Sequence, residues 1–108
     1  MQVRIRSRSV AITGPIREWA ERRLLFALGQ FGEKVRSVGV VLEDVNGPRG
    51  GADQRCVVEL KLAASGVLVA EVRDSDLYAA ISRAADRIGR RVRDSLSRVK
   101  SARRGRRG

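Results

Sequence analysis

A chain of 108 residues in which 43% of side chains are hydrophobic is sized for one domain with a modest two-layer core. Its 23 Lys and Arg against 12 Asp and Glu give a formal charge of +11 and a sequence pI near 11.5, which points to a polyanionic partner. The absence of histidine and the single Cys56 exclude zinc sites built from those ligands, a Ser–His or Cys–His nucleophile pair and an internal disulfide.

The chain opens on a strand. Gln2–Ser9 alternates, with Val3, Ile5 and Ser7 on one side and Arg4, Arg6 and Arg8 on the other. The arginine side is either the charged guard of an edge strand or an RNA contact. Thr13 then stands at an N-cap position, with Pro15 just inside the following helix. Ile16, Ala20, Leu24, Ala27 and Phe31 repeat at helical spacing and are expected to face the sheet, with Trp19, Leu25 and Phe26 widening the apolar surface at its sides. Gly32 is the expected C-cap. Arg17, Arg22 and Arg23 alternate with Glu18 and Glu21, so this helix is close to neutral and its charges read first as surface pairs.

Val35–Val45 predicts the second strand, with Val38, Val40 and Leu42 facing one way. Residues 46–53, with Gly47, Pro48, Gly50 and Gly51, predict a flexible hairpin turn; they match no P-loop spacing and open no helix. Arg55–Leu62 predicts the third strand. Cys56, Val58, Leu60 and Leu62 point inward there, so Cys56 reads as a small buried apolar residue. Ala63–Gly66 turns the chain and Val67–Arg73 makes the fourth strand.

From Asp74 to about Lys100 the pattern is that of one long amphipathic helix, with Asp74, Ser75 and Asp76 as cap and first-turn residues. Leu77, Ile81, Ala84, Ala85, Ile88, Val92, Leu96 and Val99 share one side. Arg83, Arg87, Arg90, Arg91, Arg93 and Arg98 share the other, with only Asp86 and Asp94 among them. Residues 83–108 hold eleven basic and two acidic side chains, so most of the positive charge sits at this end of the molecule. A one-sided run of arginine, whose planar fork suits phosphate, points to nucleic acid.

The predicted order is β-α-β-β-β-α: an α+β two-layer sandwich, with two helices on one face of a four-stranded sheet. Strands one and two, joined through a helix, are expected to be parallel, and the rest antiparallel. Residues 1–100 make the domain and 101–108 a flexible Arg/Gly-rich basic tail. The carboxylates are scattered, and Asp74 and Asp76 are better explained as caps than as an acid–base pair, so no catalysis, metal or cofactor is expected. The strands carry no Phe, Tyr or Trp, which leaves backbone and shape recognition of structured RNA rather than base stacking on the sheet. No apolar run is long enough to span a bilayer and no signal-peptide core is visible, so a cytoplasmic protein that does not engage membranes is expected.

Three stretches carry a resemblance: QVRIR from Gln2, TGPIREWAE from Thr13, and above all DLYAAISRAADRI from Asp76. They resemble the bacterial ribosome hibernation promoting factors, also called ribosome-associated translation inhibitors and, under an older label, sigma-54 modulation proteins. The match runs from Met1 to about Arg98. It implies a fold shaped like double-stranded-RNA-binding domains, and docking on the small ribosomal subunit in the channel of mRNA and the A- and P-site tRNAs, against rRNA. By that resemblance rRNA contact falls to Arg83, Arg87, Arg90 and Arg91, with Arg98 continuing their face, and to Arg22 and Arg23 on the first helix. Tyr78, at the edge of the apolar face, is expected to pack. Long members carry a second domain that pairs ribosomes; this chain ends in a short Arg-Gly tail and is expected to be a short form. It is expected separately to be a monomer when free, without a small-molecule substrate. A general structured-RNA binder and a protein-interaction regulator of transcription stand as alternatives.

Overall fold

The computed structural model describes residues 1–45 and 53–106, with side chains described as far as Val99. Strand β1 (Gln2–Ser7) keeps the predicted alternation: Val3 and Ile5 pack against the core, while Arg4 and Arg6 are exposed. Helix α1 (Gly14–Leu28) starts where Thr13, in an extended conformation, accepts a hydrogen bond from the Ile16 amide at 3.3 Å, with Pro15 in the first turn. A cap of this kind contributes about 1 kcal/mol. Its buried stripe is Ile16, Ala20, Leu24 and Leu28.

Here the structure departs from the pattern. Leu28 takes the buried position expected of Ala27 and Phe31, which are only half-buried, and Leu25 and Phe26 project into solvent. The helix also ends earlier than Gly32. Gly29 is the C-cap, and Gly32 lies inside a 3₁₀ segment (Gly29–Lys34) with φ +53° and ψ −125°, a conformation that side chains disfavour.

Strands β2 (Val35–Asp44), β3 (Gln54–Leu62) and β4 (Val67–Asp74) complete a sheet of order β1-β2-β3-β4. β1 runs parallel to β2, with Val3 opposite Val38 and Ile5 opposite Val40. The other pairs are antiparallel, with Leu42 opposite Cys56 and Val58 opposite Ala70. The predicted turn over 46–53 lies outside the described residues apart from Asp53, whose carbonyl accepts the Val45 amide at 2.8 Å and closes the hairpin.

Helix α2 (Leu77–Arg106) lies across β3 and β4 and against α1. It continues past the end near Lys100 that the periodicity predicts; the side chains beyond Val99, and residues 107–108 altogether, lie outside the described residues. Ala80, Ile81, Ala84, Ala85, Ile88 and Val92 are fully buried, and Leu96 is half-buried. Val99, expected on the same face, is 51% exposed. At about 1.5 Å per residue the helix is about 45 Å long, so its C-terminal part outruns the sheet that would cover it.

One cluster drawn from α1, α2 and a single face of the sheet forms the core, with no buried charge among the described residues. Cys56 lies within it, and burial pushes its thiol up to about 12. Cys56 should therefore resist a thiol reagent in the native protein at pH 8 and react at the rate of global unfolding; fast native labelling would contradict its burial. Ile88→Asp should cost on the order of 4 kcal/mol or more and abolish cooperative melting, because the carboxylate meets only apolar neighbours.

Candidate nucleic-acid interface

Two carboxylates set the start of α2. Asp76 Oδ1 accepts the Tyr78 amide and Asp74 Oδ1 accepts the Asp76 amide, both at 3.0 Å. The Asp76 amide and then Arg83 hold the Asp74 carboxyl below its usual value. Trp19 ties this end to α1: its Nε1 donates to the Tyr78 carbonyl at 3.1 Å, and its ring meets Tyr78 edge to face at 5.8 Å. Tyr78 thus packs, in keeping with its place at the edge of the apolar face.

The arginines along α2 fall into two sets. Arg83 and Arg87 lean on β4. Arg83 pairs with Asp74 at 3.1 Å, and Arg87 Nη1 donates to the Glu71 carbonyl at 2.8 Å. Arg90 and Arg93 instead line a groove of about 440 Å³ with Asp86 and Gly89, facing Phe26, Ala27 and Gln30. Arg91 and Arg98 are exposed, and Arg91 follows Arg87 by one turn. Among the described residues, Arg90, Arg91, Arg93 and Arg98 make no ion pair and no hydrogen bond through their side chains. They are the cations of α2 most open to a polyanion; Arg4, Arg6, Arg17, Arg36 and Arg73, on other elements, are likewise exposed and without a side-chain ion pair among the described residues.

On α1 the two candidate arginines differ. Arg22 is exposed and pairs with Glu18 at 3.0 Å, an exposed i,i+4 bridge of about 0.3–0.5 kcal/mol that a phosphate can readily replace. Arg23 is half-buried, reaches Asp86 at 3.4 Å, and holds its guanidinium 5.9 Å from the Trp19 ring centroid and 5.6 Å from that of Phe26. Its Nε is buried without a hydrogen-bond partner, a cost that the two π faces offset. Arg4 and Arg6 lie apart from these, on the open face of the sheet with Ser37, Gly39, Val41, Glu59 and Lys61.

Sequence pattern did not single out Gly89, Gln30 or the exposure of Phe26. The signals were present: a glycine in mid-helix, and three consecutive apolar residues, Leu24, Leu25 and Phe26, that no single helix face can hold. A Cβ on Gly89 would sit 3.1 Å from the Ala27 carbonyl oxygen, so this position sets how closely the helices meet. Gly89→Val should force them apart and destabilise the domain by about 1–3 kcal/mol, read as a lower urea midpoint at unchanged slope.

The Sigma 54 modulation protein / S30EA ribosomal protein family model matches residues 3–100. Among solved structures, the N-terminal domain of Protein Y from Thermus thermophilus superposes with a TM-score of 0.70 at 30% identity, covering 85% of this chain and 96% of that one. A ribosomal subunit interface protein from Coxiella burnetii superposes with a TM-score of 0.75 at 12% identity, covering 90% and 99%, a likeness of fold alone. No curated protein matches the chain. With the family pattern running from β1 through α2 on the fold just described, this chain belongs to the Sigma 54 modulation protein / S30EA ribosomal protein family.

Proposed function

We propose that this protein is a non-catalytic, cytoplasmic translation inhibitor. It binds rRNA of the small ribosomal subunit in the channel for mRNA and the A- and P-site tRNAs, and keeps the subunit idle. The observation that carries this reading is the set of exposed arginines Arg90, Arg91, Arg93 and Arg98, close together from the middle of α2 onward and without an ion pair among the described residues. Family membership supplies the ribosome; the arginines supply the contact. The Coxiella neighbour is itself described as a ribosomal subunit interface protein.

Arg83, Arg87, Arg22 and Arg23 join the surface in a different way. Each already has an intramolecular acceptor, yet a guanidinium carries five N–H groups, so each retains donors for phosphate while its partner fixes its direction. Contact with phosphates alone gives affinity without sequence preference, which suits a folded RNA read by its shape. Among the described residues no helix is long and apolar enough to cross a membrane.

Sucrose-gradient co-sedimentation with purified small and large subunits, in moderate salt and with excess unrelated duplex RNA, tests the proposal. Retention on the small subunit is the expected result, whereas transfer to the competitor would mean a general RNA binder. Replacing Arg90, Arg91, Arg93 and Arg98 together by Glu should release the protein from the subunit while it still folds and melts cooperatively. Single Arg→Ala changes should each reduce the salt slope of log K by about 1. A folded quadruple variant that still binds would overturn the site.

A further inference from the structure

We propose that the groove between α1 and α2 holds one unpaired nucleobase stacked on Phe26. The inference rests on the RNA-binding reading above and adds a subsite that backbone contact alone does not provide.

Phe26 is 78% exposed, the most exposed of the large hydrophobic side chains described, although it lies on a helix whose other face is well packed. A phenylalanine so placed contributes nothing to the core. The ring has one neighbour: the Arg23 guanidinium lies 5.6 Å from its centroid and is itself held by Trp19 and by Asp86. The rest of the ring is left open to a ligand.

The surroundings say what kind of ligand fits. Arg90 and Arg93 rim the same groove and make no ion pair among the described residues; Asp86 also lines it, with its carboxylate 3.4 Å from Arg23, and Gln30 brings an amide with both donors and an acceptor. An aromatic ring beside free cations is the arrangement that binds single-stranded nucleic acid, the ring taking a base and the cations its phosphates. A docking apolar protein surface would instead have to strip water from Arg90 and Arg93 without neutralising them, which is costly. Gly89 keeps the groove floor low, since any side chain there would press on Ala27. Gln30 is placed to hydrogen-bond the edge of a base whose face lies on Phe26.

The test compares wild type, Phe26→Ala and Phe26→Tyr, all of which should fold; Phe26→Tyr should melt as wild type and Phe26→Ala slightly lower, since it removes one π face from Arg23. Binding to small subunits is measured by competition co-sedimentation. Separately, fluorescence is followed on adding each protein to a single-stranded RNA bearing one 2-aminopurine, whose emission rises when the base leaves its neighbours in the strand to lie on the ring. Phe26→Ala should weaken subunit binding roughly five- to hundredfold and abolish the rise, with Phe26→Tyr restoring the binding. Where the wild type binds the subunit, equal binding by Phe26→Ala would overturn the proposal. So would a loss of subunit binding in a protein whose wild-type form never alters the probe, because Phe26 would then touch ribosomal protein. A Phe26-dependent rise in a protein whose wild type ignores the subunit would uphold the stacking site and sink the ribosomal reading instead.

Discussion

How closely α2 can approach its neighbours governs the rest of this molecule. The buried face of α2 is made largely of small side chains, Ala80, Ala84 and Ala85, followed by Gly89 against Ala27. Larger residues, Ile81, Ile88 and Val92, alternate with them and fill the space over β3 and β4. Interiors pack at close to crystal density, so the small positions fix a short interhelical distance that the large ones could not tolerate. Because α1 and α2 touch at Gly89 and Ala27, the side chains flanking that contact are left standing on either side of a shallow groove. The position of Arg90, Arg93, Gln30 and Phe26 around it follows from a backbone contact in which none of them takes part.

A second constraint is electrostatic. Acidic side chains engage arginines along the first half of α2, Asp74 beside Arg83 and Asp86 beside Arg23, with the Glu71 carboxylate on Arg55 and its carbonyl on Arg87, while Asp94 in the second half makes no ion pair among the described residues. Self-repulsion among these arginines is thereby relieved where the helix meets the sheet. Further along, beyond Asp94, carboxylates are missing from the sequence, and the cations there sit toward the helix C-terminus, where the macrodipole favours positive charge. The net charge of +11 is therefore partly offset over the first half of α2 and less so beyond it.

Much of this could be read from the sequence, because period and capping chemistry are local. Alternation of Val3 and Ile5 with Arg4 and Arg6, the Thr13 cap, and the inward set Cys56, Val58 and Leu60 all depend on residues a few positions apart. Periodicity finds the middle of a buried stripe but not its width, which depends on the partner element. Hence Leu25 and Phe26, at the side of the α1 stripe, proved exposed, and Val99 lay past the end of the sheet. The two sets of arginines were hidden for the same reason. Nothing within one turn of Arg83 or Arg87 reveals that a β4 residue receives each of them, and Arg23 and Asp86 are 63 positions apart. Neighbouring arginines on a wheel look equivalent until the elements beside them are in place.

That distinction bears on what charge can do. A row of interchangeable arginines would bind any polyanion, since Coulomb attraction to phosphate carries no record of which RNA supplies it. Here Arg83, Arg87 and Arg23 are aimed by fixed acceptors, whereas Arg90, Arg91, Arg93 and Arg98 remain free to follow a backbone. Fixed cations favour a ligand whose phosphates already lie at matching places, and free ones add affinity for whatever arrives. A folded RNA can satisfy the first set only in the orientations its own shape permits. Under the proposed function, selectivity on this surface comes from the arginines that are already engaged within the protein, and strength from those that are not.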